Sequence, residues 1–369
     1  MTIAVDIHCL LERQTTGVGE YTRQLIGAML ALRPAPHLRL VGYAAGRSRQ
    51  FLPRFPDVPV SLRRLPSRWV NLSTAVLGRP RIDRLSPGAD VYFMPNLGFA
   101  SFSRCVPYVL TLHDLSFLRY PKFFGLRSRL WHRLVHYRRL LREATLVIAD
   151  SEHTRRDALA LGLVEPQRIT TVYPGTAAGA AADLATAQRL NLPARYVLAL
   201  GAHDPRKNLG VLLEALVRLP DLTLVVAGPV GSGDLARQSR RLGVADRVRM
   251  AGYVSADERS SLYQSAVAFA YPSVYEGFGL PVLEAMACGT PVVASSASSV
   301  PEVAADAALT ADPYDVNAWV GSLRAAVDDR AVRARLIERG RQRAAAFTWE
   351  RTAIQTMHLL QCAAQHRQS

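Results

Sequence analysis

The 369-residue sequence is short of lysine and cysteine and has no long apolar run. Its four cysteines, Cys9, Cys105, Cys288 and Cys362, lie far apart and form no CxxC pair. That spacing argues against a zinc site or a disulfide framework and fits a reducing cytoplasm. No stretch approaches the roughly 18 apolar residues of a membrane span. In the opening MTIAVDIHCLLERQ, Asp6, Glu12 and Arg13 stand too close to the apolar residues for a secretory leader. Only two lysines, Lys122 and Lys207, accompany 43 arginines, so a position that keeps lysine suggests a need for a compact point charge.

What is present points to two α/β domains. The chain exceeds the roughly 250–300 residues at which single cores stop growing. Its charge is lopsided: residues 1–190 hold 26 basic and 13 acidic side chains, residues 191–369 hold 19 and 17. The N-terminal half is thus expected to face something anionic.

Short runs rich in Val, Ile and Leu alternate with helical patterns, as in parallel sheets buried on both faces. The expected strands are 2–7, 38–44, 90–94, 106–112, 145–149 and 168–172, then 196–201, 222–228, 247–252, 267–271 and 291–294. A helix fits 208–219, and the pattern beyond residue 314 is helical. The stretch 174–193, rich in small residues, Gly and Pro, reads as the connection between two doubly wound domains. The domains expected are 1–180 and 190–349, with a final helix at 350–369 packing back on the first.

The most informative stretch is EGFGLPVLEAMACGTPVVAS, from Glu276 to Ser295. Pro281 suits a first helical turn and Gly289 a C-terminal cap. Residues 272–280 therefore form a loop at the carboxyl end of a parallel strand, where open α/β sheets bind ligands. The amides of Phe278, Gly279 and Leu280 can face a phosphate at the helix start, with Gly277 and Gly279 easing close approach. Glu276 and Glu284 can accept from sugar hydroxyls on either side of a diphosphate. An isolated pair at that spacing is more often a solvated loop acid and a surface helix residue. A second strand-loop-helix junction, GAHDPRKNLGVLLEA (201–215), tips the balance, because Arg206 and Lys207 there can neutralise a departing diphosphate.

These two motifs, with TTGVGEYTRQL (15–25), TLHDLSFLRYP (111–121) and ADSEHTRRD (149–157), resemble the retaining glycosyltransferases of the GT-B fold, family four. The resemblance spans essentially the whole chain. It implies two Rossmann-like domains facing across a cleft, the first for acceptor and the second for nucleotide sugar, with no cofactor and no divalent metal. The absence of any Asp-x-Asp triplet agrees with metal independence. It further implies that Arg206 and Lys207 bind the diphosphate, Glu284 the ribose and Glu276 the donor sugar. Phe278, Gly279 and Leu280 become backbone donors, Gly17 and Gly19 a turn near the donor phosphate, and Val254 a backbone reader of the base. His113 falls at the position near the reacting sugar, although a lone histidine is more often structural. VYPGT (172–176) departs from the family, whose members often carry an Asn-Gly pair there, while Asp204 stands at a variable spot outside the main assignment.

The TTGVGEYTRQL and TLHDLSFLRYP motifs are most similar to mannosyltransferases using GDP-mannose, with UDP-glucose or another UDP-sugar as the alternative. The transfer is read as front-face attack with retention, since no carboxylate is marked as a nucleophile. From Phe117 to Arg142 eight basic residues and interleaved aromatics occur without an acid, and Leu126, Leu130, Leu134, Tyr137 and Leu141 recur at helical spacing. One basic amphipathic helix over 126–142 is expected, reading either as an element docked on the anionic inner face of the cytoplasmic membrane or as a core-packing helix with a solvated arginine face. The expected acceptor is a lipid-linked oligosaccharide for exopolysaccharide, lipopolysaccharide or O-antigen. A dehydrogenase would need a third glycine after TTGVG, a nucleic-acid binder a recognition fold, and a sugar-nucleotide epimerase no acceptor.

Overall fold

The computed structural model describes residues 1–12, 16–44, 50–53, 55–103, 106–176, 184–201, 204–228 and 233–365. The chain divides into two compact units, Met1–Gly175 with Trp349–Ser369, and Thr176–Thr348. Cys105, His203 and most of the connection at 177–183 lie outside the described residues.

The first unit carries a seven-stranded parallel sheet in the order β3-β2-β1-β4-β5-β6-β7. Its strands are β1 (Thr2–Asp6), β2 (His37–Tyr43), β3 (Val60–Arg63), β4 (Val91–Met94), β5 (Tyr108–Leu112), β6 (Leu146–Ala149) and β7 (Ile169–Thr171). Its helices are α1 (Gly17–Ala31), α2 (Ser67–Leu77), α3 (Ser116–Arg119), α4 (Leu126–Leu134), α5 (Tyr137–Glu143) and α6 (Glu152–Ala160). β4 and β5 are wholly buried, as their almost entirely apolar sequences require.

The second unit carries a six-stranded parallel sheet, β10-β9-β8-β11-β12-β13. These are β8 (Tyr196–Leu200), β9 (Thr223–Ala227), β10 (Val248–Gly252), β11 (Ala268–Tyr271), β12 (Val292–Ser295) and β13 (Leu309–Ala311). The helices are α7 (Leu184–Arg189), α8 (Gly210–Val217), α9 (Asp234–Arg241), α10 (Ala256–Ser265), α11 (Leu280–Ala287), α12 (Val300–Ala304), α13 (Val316–Asp328) and α14 (Arg330–Ala345). Both strand orders reverse direction beside the unit's first strand, between β1 and β4 and between β8 and β11. Such reversals open a crevice at the carboxyl ends of the strands.

The last helix, α15 (Trp349–Gln365), belongs to the first unit. Ala353, Leu360 and Ala363 pack in one cluster with Ile3, Val5, Val91 and Phe93, and Trp349 meets the Tyr21 ring edge-on at 5.7 Å. The Thr352 hydroxyl donates to the Tyr173 carbonyl at 2.8 Å.

Two strands escape the sequence pattern. β3 (VSLR) is an edge strand with no buried residue, and β13 (LTA) is three residues long. The expected single helix over 126–142 is also corrected. His136 adopts a left-handed φ of 54° and splits the segment into α4 and α5. α5 buries Leu140 and Leu141, whereas α4 buries nothing and leaves Leu126 83% exposed. The leucines at helical spacing therefore serve two environments. Beside them, α2 buries only Val70 and Thr74 and exposes Trp69, Leu72, Val76 and Leu77. The His136 ring bonds the Ala75 carbonyl at 3.0 Å, which ties α2 to the α4–α5 junction. Among the described residues no helix is long and apolar enough to cross a membrane.

Candidate functional site

The reversal point of the second sheet brings two sequence-distant motifs together. β8 ends at Leu200, and a 3-10 turn at Pro205–Lys207 follows before α8. β11 ends at Tyr271, and its loop leads through Glu276 into α11. The Lys207 ammonium donates to Glu276 Oε1 at 2.6 Å and to the Tyr271 hydroxyl at 3.0 Å, and lies 4.8 Å from the Tyr271 ring centroid. Burial works against the charge on Lys207, but Glu276 and Tyr271 outweigh it and hold the ammonium above its ordinary pKa. The loops also join through the backbone, where the Val274 amide donates to the Arg206 carbonyl at 2.8 Å.

Gly201 makes this packing possible. It has φ 91°, and a Cβ there would come 2.9 Å from Lys207 Cε. Arg206 grips Asp204, with Nε and Nη2 at 2.8 and 2.5 Å from Oδ2. Burial pushes the Asp204 carboxyl up, and the bonds and charge of Arg206 pull it further down, leaving it below its ordinary value. Asp204, expected to stand outside the site, thus sets the pose of Arg206.

The 272–280 loop is braced from behind. The Glu276 amide donates to Ser298 Oγ at 3.0 Å, and the hydroxyls of Ser298 and Ser299 reach the Glu276 carbonyl at 2.7 and 2.9 Å. Ser299 Oγ is also 2.8 Å from the Phe278 carbonyl. Gly279 caps α11 at φ 115°, a conformation costly for any other residue. Among the described residues the amides of Gly279 and Leu280 meet no protein acceptor, leaving two donors at a helix N-terminus.

Glu284 lies one turn into α11 and faces α10 rather than Lys207. Oε1 accepts from Arg259 Nη2 at 3.0 Å and Oε2 from the Tyr263 hydroxyl at 2.9 Å. Val254 is buried just before Ser255, whose capping box with Glu258 starts α10. Tyr271, Arg259, Tyr263, Ser298 and Ser299 went unmarked in the sequence because their partners are set by chain crossings, whereas Asp204 was passed over although its partner Arg206 is two residues away. The i, i+4 pair Arg259 and Tyr263 was the available signal.

In the first unit, Gly17 and Gly19 lie within the first turn of α1 rather than in a loop, and the Gly19 amide donates to the Thr16 side chain at 3.3 Å. A Cβ on Gly17 would meet nothing within 4 Å, so its spare space faces outward. His113 follows β5 and has both ring nitrogens taken: Nδ1 lies 2.5 Å from Asp150 Oδ2 and Nε2 2.8 Å from the Pro95 carbonyl. Both ring nitrogens are thus engaged within the first unit, by a buried carboxyl and a backbone carbonyl. Burial opposes a positive charge on the ring, but Asp150 overcomes it and raises the pKa of His113. Among the described residues no three His, Cys, Asp or Glu side chains gather where they could hold a metal ion.

Residues 15–178 match the family model "Glycosyltransferase Family 4", and residues 183–343 match "Glycosyl transferases group 1". O-antigen chain mannosyltransferase B of Escherichia coli is 31% identical over 93% of this chain and 95% of its own. D-inositol 3-phosphate glycosyltransferase of Salinispora tropica is 33% identical over 71% of this chain and 60% of its own. Sucrose-phosphate synthase from Thermosynechococcus elongatus superposes with a TM-score of 0.75 at 21% identity, covering 98% of each chain. Anabaena HepE in complex with UDP-glucose gives 0.73 at 20% identity, covering 98% of this chain and 100% of its own. The fold is GT-B, and the chain belongs to the group 1, family 4 glycosyltransferases.

Proposed function

We propose that the protein transfers a hexose with retention of configuration from a nucleoside-diphosphate sugar to a lipid-linked oligosaccharide, in building a bacterial surface polysaccharide. The observation that carries this reading is the Lys207–Glu276 contact at the second sheet's reversal point, beside the amides of Gly279 and Leu280, which meet no acceptor among the described residues. A diphosphate placed there meets an ammonium, a guanidinium and a helix N-terminus, which stabilise it as a leaving group. Glu276 can exchange part of its contact with Lys207 for a donor-sugar hydroxyl. Glu284, oriented by Arg259 and Tyr263, is the acceptor for the ribose hydroxyls. His113 acts by holding its place at the end of β5 rather than by shuttling protons, since both ring nitrogens are already engaged. No divalent metal or cofactor enters this scheme.

The donor we favour is GDP-mannose, supported by the likeness to the E. coli mannosyltransferase. A UDP-sugar is the second reading, supported by the fold shared with a UDP-glucose complex. The first unit would hold the acceptor. Its basic surface supports peripheral attachment to the anionic inner face of the cytoplasmic membrane: α4 presents Arg127, Arg129 and Arg133 around exposed Leu126 and Leu130, next to the apolar face of α2.

A thermal-shift screen with GDP, UDP, ADP and TDP, run on the wild type and on Lys207→Ala, tests the donor site. Stabilisation by one nucleotide that disappears in the variant supports it. Equal stabilisation of both proteins counts against it.

A further inference from the structure

The first sheet's reversal point holds a cavity of about 330 Å³, lined at the ends of β1, β2 and β4 and closed by α2 and α4. It differs in charge from the unit that contains it. Residues 1–190 carry a two-fold excess of basic over acidic side chains (26 against 13), yet no Lys or Arg among the described residues lines this cavity. Its ionic groups are the carboxylates of Asp6 and Glu12.

The polar lining is short of partners. Among the described residues the side chains of Glu12, Ser67, Asn71 and Asn96 make no hydrogen bond or ion pair with the protein. Asp6 is held in place by His8, whose amide and Nδ1 lie 3.0 and 2.5 Å from Oδ1, so Oδ2 is left over. His8 Nε2 accepts the Tyr43 amide at 2.9 Å, which fixes the ring's proton on Nδ1 and its orientation. One wall is aromatic. Trp131 is 40% exposed and stands edge-on to Phe99 at 5.6 Å between ring centroids.

Carboxylate and amide groups without partners, converging beside an exposed indole, match a ring of hydroxyls with an apolar C–H face. They do not match a phosphate, which needs cations or clustered donors and is repelled by two carboxylates. We propose that this cavity is a saccharide site that takes an uncharged pyranose, seated against Trp131 and hydrogen-bonded by Asp6, Glu12, Asn71 and Asn96. Resting on the transferase reading, it is the place of the acceptor sugar, and it separates this chain from relatives named for inositol 3-phosphate.

The test titrates the full chain, without donor, with the methyl glycosides of mannose, glucose, galactose and N-acetylglucosamine and with inositol 3-phosphate, read by saturation-transfer NMR and calorimetry. At least one neutral glycoside is expected to bind and inositol 3-phosphate to bind more weakly. Trp131→Ala and Asn96→Ala should each weaken the glycoside about tenfold or more, with Trp131→Phe retaining most of the affinity. The nucleotide thermal shift of these variants should equal that of the wild type. Absence of glycoside binding in a protein that nucleotides stabilise overturns the saccharide site. So does binding indifferent to both alanine variants, or tighter binding of inositol 3-phosphate. If no nucleotide stabilises the protein, the transferase reading fails, and the glycoside titration still decides the cavity.

Discussion

Lys207 and Glu276, 69 positions apart, meet at 2.6 Å with only 17% and 12% of their side-chain surfaces exposed. Removing one partner strands the other charge in a poorly solvated place. Glu276→Gln keeps the shape and a hydrogen-bond acceptor for Lys207, so the fold should survive while activity drops by about a hundredfold. Steady-state rates with the best donor measure this, and wild-type activity in the variant would refute the role given to the carboxylate.

Front-face transfer makes a related prediction. Mass spectrometry of the wild type and of Glu276→Gln incubated with donor should reveal no sugar attached to residue 276. A glycosylated Glu276 in the wild type would establish a double displacement instead.

Gly201 tests whether the lysine must be held this closely. Gly201→Ala adds a Cβ that meets Lys207 Cε at 2.9 Å, in a backbone at φ 91°. The conformational cost alone is about 1–2 kcal/mol. Because Lys207 has to shift, nucleotide affinity should fall more than thermal stability. A variant that binds nucleotide like the wild type would show that the lysine can move without consequence.

His113 provides a pH test whose sign follows from its raised pKa. Such a group contributes stability that is complete below its unfolded value and is lost as pH rises through the folded one. The stability advantage of the wild type over His113→Asn should therefore be full at about pH 6 and shrink steadily toward about pH 8, because the decline begins at the ordinary value of 6.5. Denaturant titrations across that range decide it, and an advantage that grows with pH would mean the ring is neutral.

The exposed faces of α2 and α4 predict salt-sensitive flotation with anionic liposomes. Each arginine near such a surface contributes about 1 kcal/mol. Arg127→Glu with Arg133→Glu should abolish binding at low salt, and Trp69→Asp or Leu126→Asp should weaken what persists at high salt. Wild-type protein that stays with the soluble fraction on anionic vesicles would sink the membrane reading.

The fold was legible because its strands are continuous apolar runs between turn residues. All eleven expected strands appear, within a residue or two at their ends. β3 was invisible because an edge strand of Val, Ser, Leu and Arg buries no residue, and β13 because three residues make no pattern. The basic segment misled for a local reason: leucines at helical spacing cannot reveal that His136 turns left-handed and ends the first helix.

The amino-acid order alone determined the class of protein: alternating strand and helix patterns, a glycine-rich turn before a helix, and a lysine among arginines in a second loop. These are local properties, written within one strand, one loop and one helix. Partnership was decided by tertiary structure. Whether Glu284 turns to Lys207 or to Arg259, and whether His113 keeps a free nitrogen, depends on which strands are neighbours at a sheet's reversal point. A cavity with no Lys or Arg among the described residues of its lining, inside a basic unit, arises the same way, since that lining comes from residues between Asp6 and Trp131 that only the folded chain gathers.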